Sequence, residues 1–142
     1  MGTIENGIGQ QFESLIALAG ANTEEGWAKI DLELPQVCND PVVLTWAREN
    51  TSNPESGLRD LAATIFEASK VPLTSEDIEK LTRLMSDESY PGFRAACALA
   101  KRTNQPEILA MRDSIREKIR FFIDDASVSE VANKYFSRLG DE

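Results

Sequence analysis

The sequence contains no histidine. This excludes the Ser–His and Cys–His pairs of nucleophilic catalysis and every histidine-based metal site. It also removes the side chain whose charge changes nearest neutral pH. Cysteine is scarce, with only Cys38 and Cys97 and no CxxC. Both lie in segments of helical pattern and read as small buried hydrophobes, so a disulfide scaffold is not indicated and a reducing compartment fits. Phosphate-cradling loops are missing too. Neither GxGxxG nor GxxxxGK[ST] occurs, and Gly7-Ile8-Gly9 precedes no strand.

Long apolar runs are also lacking. None approaches the roughly 20 residues that span a bilayer, so no membrane association is expected. The start, Met1-Gly2-Thr3-Ile4-Glu5-Asn6, has neither the basic nor the apolar region of a secretory leader. Position 6 is not the Ser or Thr that a myristoylation motif requires. Asn50-Thr51-Ser52 fits a glycosylation sequon by chance. The expected location is the cytoplasm.

What is present is ordinary globular material. Of 142 residues, 42% are hydrophobic and 27% charged, too apolar for a disordered chain and enough for one self-sufficient domain over 1–142. The net charge is -9 and it is uneven: residues 1–57 carry nine acids and two bases, and residues 58–142 carry fifteen and thirteen. Such a chain repels phosphate, which disfavours general nucleic-acid or anionic-membrane binding. The acidic half serves solubility or faces a basic partner.

Apolar residues recur at three and four, the helical period, and alternating strand patterns are almost absent. The first helix is predicted over 5–19, with Ile8, Phe12, Leu15, Ile16 and Ala19 as its stripe and Gly20 as its stop. The second covers 24–33, capped by Thr23, with Glu24 and Glu25 in its first turn and Pro35 at its end. Asp40-Pro41 and Asn53-Pro54 open the third and fourth. Thr74, with Asp77 three residues on, opens the fifth. The sixth spans 90–102. The seventh and longest runs from Pro106 to Ile123 on the stripe Ile108, Met111, Ile115, Ile119 and Phe122. The eighth begins at Ser127 with Glu130 as a capping box, and Gly140 can close it. The expected architecture is all-α, an α-solenoid of about four antiparallel helix pairs, with both termini frayed.

The chain also resembles itself at a shift of 35. The segment Asn53-Pro54-Glu55-Ser56-Gly57-Leu58-Arg59-Asp60-Leu61-Ala62-Ala63 parallels Ser89-Tyr90-Pro91-Gly92-Phe93-Arg94-Ala95-Ala96-Cys97-Ala98. Val43 and Trp46 map onto Ile78 and Leu81, and Phe93 and Cys97 onto Val128 and Ala132. A period of this size means stacked supersecondary units that cannot bury their apolar faces alone. Residues 85–102, an acidic turn, Pro91, Phe93, Arg94 and an Ala-rich helix, resemble the inter-helix turn and second helix of a HEAT repeat of the short, PBS-lyase-like form. Residues 50–69 are a looser match, and 123–139 match only in apolar spacing. The resemblance implies that Arg59, Asp87 and Arg94 hydrogen-bond between adjacent repeats, a structural role. It also implies a concave surface that most often binds proteins, and in a minority of relatives acts on DNA or on tetrapyrrole attachment.

No catalytic constellation, metal site or cofactor motif emerges. The adjacent acids Asp124-Asp125, Asp87-Glu88 and Glu24-Glu25 do not face one another on a helix and fit helix-end solvation. Arg112, Arg116 and Arg120 recur at four, with Asp113 and Glu117 between them. They form either a salt-bridged solvated face or a basic strip for a partner. Trp27 and Trp46 are core residues by spacing and partner anchors if exposed. Glu24, Glu25, Trp27, Trp46, Arg112, Arg116 and Arg120 are therefore the candidate partner-binding residues. The expected function is a non-enzymatic interaction module for a protein partner, basic in charge. A HEAT-like enzyme, bilin-lyase-like or DNA-glycosylase-like, and a self-associating structural subunit are the alternatives.

Overall fold

The computed structural model describes residues 3–140, with side chains from Gly9 onward. Ile8 of the predicted first stripe, and the frayed ends expected at residues 1–2 and 141–142, lie outside the described side chains and residues. Among the described residues the fold is all-helical, with nine α-helices, one 3-10 turn and no strand. No described helix is long and apolar enough to cross a membrane.

Helix α1 (Thr3–Ala21) runs past Gly20. Its stop is Asn22, at φ 56°, whose amide donates to the Leu18 carbonyl at 3.0 Å. Asn tolerates this left-handed geometry. Its side-chain oxygen also accepts the Trp27 indole N–H at 2.7 Å, which ties the turn to α2 (Glu24–Glu33). Thr23 caps α2 by accepting from the Gly26 amide at 3.0 Å. Pro35 does not end the helical path at once but sits in a 3-10 turn, Leu34–Gln36, that buries Leu34. Helix α3 (Pro41–Asn50) opens as predicted, with the Asp40 carboxylate accepting from the Val42 amide at 2.9 Å.

Helix α4 (Ser56–Ala68) starts later than Asn53-Pro54. Asn53 instead makes a turn, accepting from the Glu55 amide at 2.8 Å. Helix α5 (Ser75–Leu84) carries the predicted reciprocal box: the Asp77 amide donates to the Thr74 hydroxyl at 3.1 Å and the Thr74 amide to the Asp77 carboxylate at 3.2 Å. Helix α6 (Tyr90–Ala100) follows with Pro91 in its first turn.

The single long helix expected over 106–123 is instead two. Helix α7 (Pro106–Leu109) ends after one turn, and α8 (Arg112–Arg120) begins beyond Met111, whose φ of -103° and ψ of 13° break the helical path. The Met111 amide reaches back only three residues, to Ile108 at 2.9 Å, so the chain tightens there. The Thr82 hydroxyl of α5 donates to the Ile78 carbonyl at 2.6 Å and lies 3.4 Å from the Met111 sulfur. Helix α9 (Ser129–Gly140) starts two residues beyond Ser127, whose amide donates to the Asp125 carboxylate at 2.9 Å.

The chain divides into two compact units, Met1–Val71 and Pro72–Glu142. In the first, α1 packs on α2 and α4, and α3 on α4. In the second, α6 packs on α5, α8 and α9, α8 packs on α9, and α7 packs on α5. Core side chains such as Leu15, Ile30, Leu61 and Phe66 in the first unit, and Leu81, Phe93, Ile115 and Tyr135 in the second, are buried. Each contributes roughly 1.5–3 kcal/mol if an aliphatic or Phe side chain. Both α4 and α6 are buried almost all round: Asp60 through Phe66, and Ala95 through Ala100, form unbroken buried runs. Their alanines permit close neighbours on every side.

Gly57 and Gly92 occupy equivalent places at the starts of these two helices. A Cβ on Gly57 would collide with the Ala19 carbonyl, and one on Gly92 with the Asp87 carbonyl. Backbone approach, rather than left-handed geometry, is what requires glycine at both positions.

Candidate functional site

The residues picked from the sequence fall into both units. In the first, Glu24 and Glu25 are exposed in the opening turn of α2. Trp27 is half-buried and its indole N–H is spent on Asn22. Trp46, also half-buried, stands edge-on to Phe12 with ring centroids 5.3 Å apart. Both indoles thus contribute to packing, and neither projects freely.

In the second unit the three arginines share α8. Arg116 lies over the Phe136 ring, 4.0 Å from guanidinium carbon to centroid, and so joins α8 to α9. Arg120 pairs with Glu117 at 3.3 Å on the open surface, a contact worth at most about 1 kcal/mol. Arg112 is half-buried. The strip is therefore divided between a packing cation, a surface ion pair and a partly covered side chain.

Of the residues given a structural role by the repeat, Arg59 and Asp87 bond at turns. Arg59 donates through Nη1 to the carbonyls of Asn53 and Pro54, at 2.8 and 3.0 Å, closing the turn before α4. Asp87 accepts from both the amide and the hydroxyl of Ser89, at 2.8 and 2.6 Å, ahead of α6. The Asp87 carbonyl in turn accepts the Lys118 ammonium of α8 at 2.7 Å. Arg94 is half-buried, its guanidinium 5.8 Å from the Phe93 ring centroid. Asp40, Asn53, Asp87 and Asp125 each accept the amide two residues on, so one side-chain turn precedes four helices.

The surface with the most unusual chemistry was not among the sequence candidates. Phe121, just past the end of α8, is 76% exposed. It stands between two open, shallow depressions. One, of about 460 Å³, is lined by Glu117, Arg120, Phe121, Ile123 and Asp124. The other, of about 510 Å³, is lined by Thr82, Met85, Ser86, Asp113, Ser114, Glu117, Lys118 and Phe121. Phe122 turns the other way and stacks on Phe93, with centroids 4.8 Å apart. The signal for this was present in the sequence: the 108–122 stripe claims Phe122 and leaves Phe121 off it, an aromatic stranded on the charged face.

Buried carboxylates have local explanations. Asp77 completes its helix cap, and beside Asp60 the Thr64 hydroxyl donates to the Asp60 carbonyl at 2.7 Å and lies 3.4 Å from its carboxylate. Among the described residues, no group of three or more cysteines, aspartates or glutamates is placed to hold a metal ion. The Phe121 surface offers an apolar side chain open to solvent, bordered by Asp113, Glu117 and Asp124 and by Lys118 and Arg120. The depressions are too open to enclose a small molecule.

No family model matches the chain, and neither the curated proteins nor the solved structures compared with it include a match.

Proposed function

We propose that this chain is a non-enzymatic protein-interaction module of HEAT-like, α-solenoid organisation. The observation that carries the reading is Phe121, a large aromatic held in solvent between two open depressions. A large aromatic beside open depressions suits contact with another chain better than enclosure of a small ligand. The matched glycines 57 and 92 support the repeat. The buried thiols of Cys38 and Cys97 suit work in a reducing compartment such as the cytoplasm. The net charge of -9 favours a basic partner.

Affinity capture from native-cell lysate at low and high salt, read by mass spectrometry, tests this. A specific protein should be retained by the wild type at low salt and diminished at high salt. Retention of no protein at either salt would count against an interaction module.

A further inference from the structure

Independently of Phe121, we infer that the Arg116 guanidinium, where α8 meets α9, is a binding site for a carboxylate. Arg116 is half-buried, and its guanidinium carbon lies over the Phe136 ring, 4.0 Å from the centroid. A cation held against a ring in this way still has N–H groups on its edge that need acceptors. Among the described residues the guanidinium has no hydrogen-bond or ion-pair partner, and its Nε is buried without one. Glu117, the next residue, is spent on Arg120 at 3.3 Å. Gly140, at the end of α9, borders the same edge. A Cβ there would lie 3.3 Å from Nη2 and 3.4 Å from Nε, so the glycine leaves that edge uncrowded. A half-buried charge without a counter-charge is costly. A planar anion that accepts two N–H bonds offsets that cost best, because the guanidinium fork matches its geometry. The net charge of -9 repels a phosphate dianion more than a carboxylate. Two sources can bring a carboxylate to this place. Asp141 and Glu142 follow Gly140 directly in the sequence, and an acidic side chain of another protein is the second source.

In the full-length chain labelled with nitrogen-15, the Arg116 Nε–Hε resonance reads the site directly, and its loss in Arg116→Lys assigns it. One arm compares the wild type with the double change Asp141→Asn and Glu142→Gln, which removes charge and keeps size. The other arm titrates both proteins with sodium acetate, against sodium chloride at matched ionic strength. If the acids after Gly140 supply the carboxylate, the resonance moves in the double variant and acetate, but not chloride, returns it. If another protein supplies it, the double change leaves the resonance in place, and acetate alone moves the wild type saturably. Gly140→Ala crowds Nη2 and should weaken acetate binding at least about threefold in whichever protein binds it. Circular dichroism checks that each variant keeps its helical content. A resonance that neither the double change nor acetate moves overturns the inference. Movement that acetate and chloride produce or reverse alike is screening, and overturns it too.

Discussion

Gly57 and Gly92 show how much a single hydrogen atom can decide. Each faces a carbonyl oxygen so closely that a methyl group cannot enter without moving backbone. Overpacking of this kind costs about 1–3 kcal/mol, and a rigid obstacle puts these two at the upper end. Gly57→Ala and Gly92→Ala should each lower unfolding free energy by about 2–3 kcal/mol in urea titrations. Gly9→Ala, which meets nothing within 4 Å, should be neutral or slightly stabilising. The spacing of 35 between the two glycines was open to view in the sequence. Their reason for being glycine was not, because it lies in the Ala19 and Asp87 carbonyls, one of them far off in sequence. Phe121 is the opposite case: its exposure follows from its place off the apolar stripe. Asn22 as a helix stop was obscured by Gly20, which has the better conformational credentials but continues the helix.

Among the elements, legibility tracked how local the determinants are. The cap of α5 depends on residues three apart, Thr74 and Asp77, and both its hydrogen bonds form as the pattern implies. Thr74→Ala should cost about 1 kcal/mol by urea unfolding. Adding Asp77→Ala should not produce a simple sum, because each side chain bonds the other residue's amide. The division between α7 and α8 is the reverse. Ile108, Met111, Ile115 and Ile119 continue the apolar stripe unbroken across it, so nothing in the periodicity marks Ala110 and Met111. At the break Met111 lies 3.4 Å from the Thr82 hydroxyl of α5, a neighbour outside any local window. At the starts of α4 and α9, Asn53 and Asp125 each accept the amide two residues on, the bond that Asp40 makes at the start of α3.

For the whole molecule, all-α character was evident from the apolar period alone, whereas the division into units at Val71 and Pro72 was not. No composition shift or linker accompanies it; it depends on which helices touch. Each unit holds one thiol, Cys38 at 2% exposure and Cys97 at 0%. Single-cysteine variants treated with a thiol-reactive chromophore should therefore react slowly when native and at once in denaturant. The two rates report the opening of each unit separately. Immediate native reaction at Cys38 or Cys97 would contradict the burial described.

The buried run of α6 carries a consequence for biosynthesis. Residues 95–100 have no solvated face, and the helices packed on α6 include α8 and α9, which follow it in the chain. At roughly 5–20 residues per second, the ribosome needs a few seconds to deliver the stretch from Ala100 to Leu139. Through that interval the emerging polypeptide displays an alanine-rich, greasy segment with part of its cover still unsynthesised, so chaperone capture and translation speed bear on the yield of this protein.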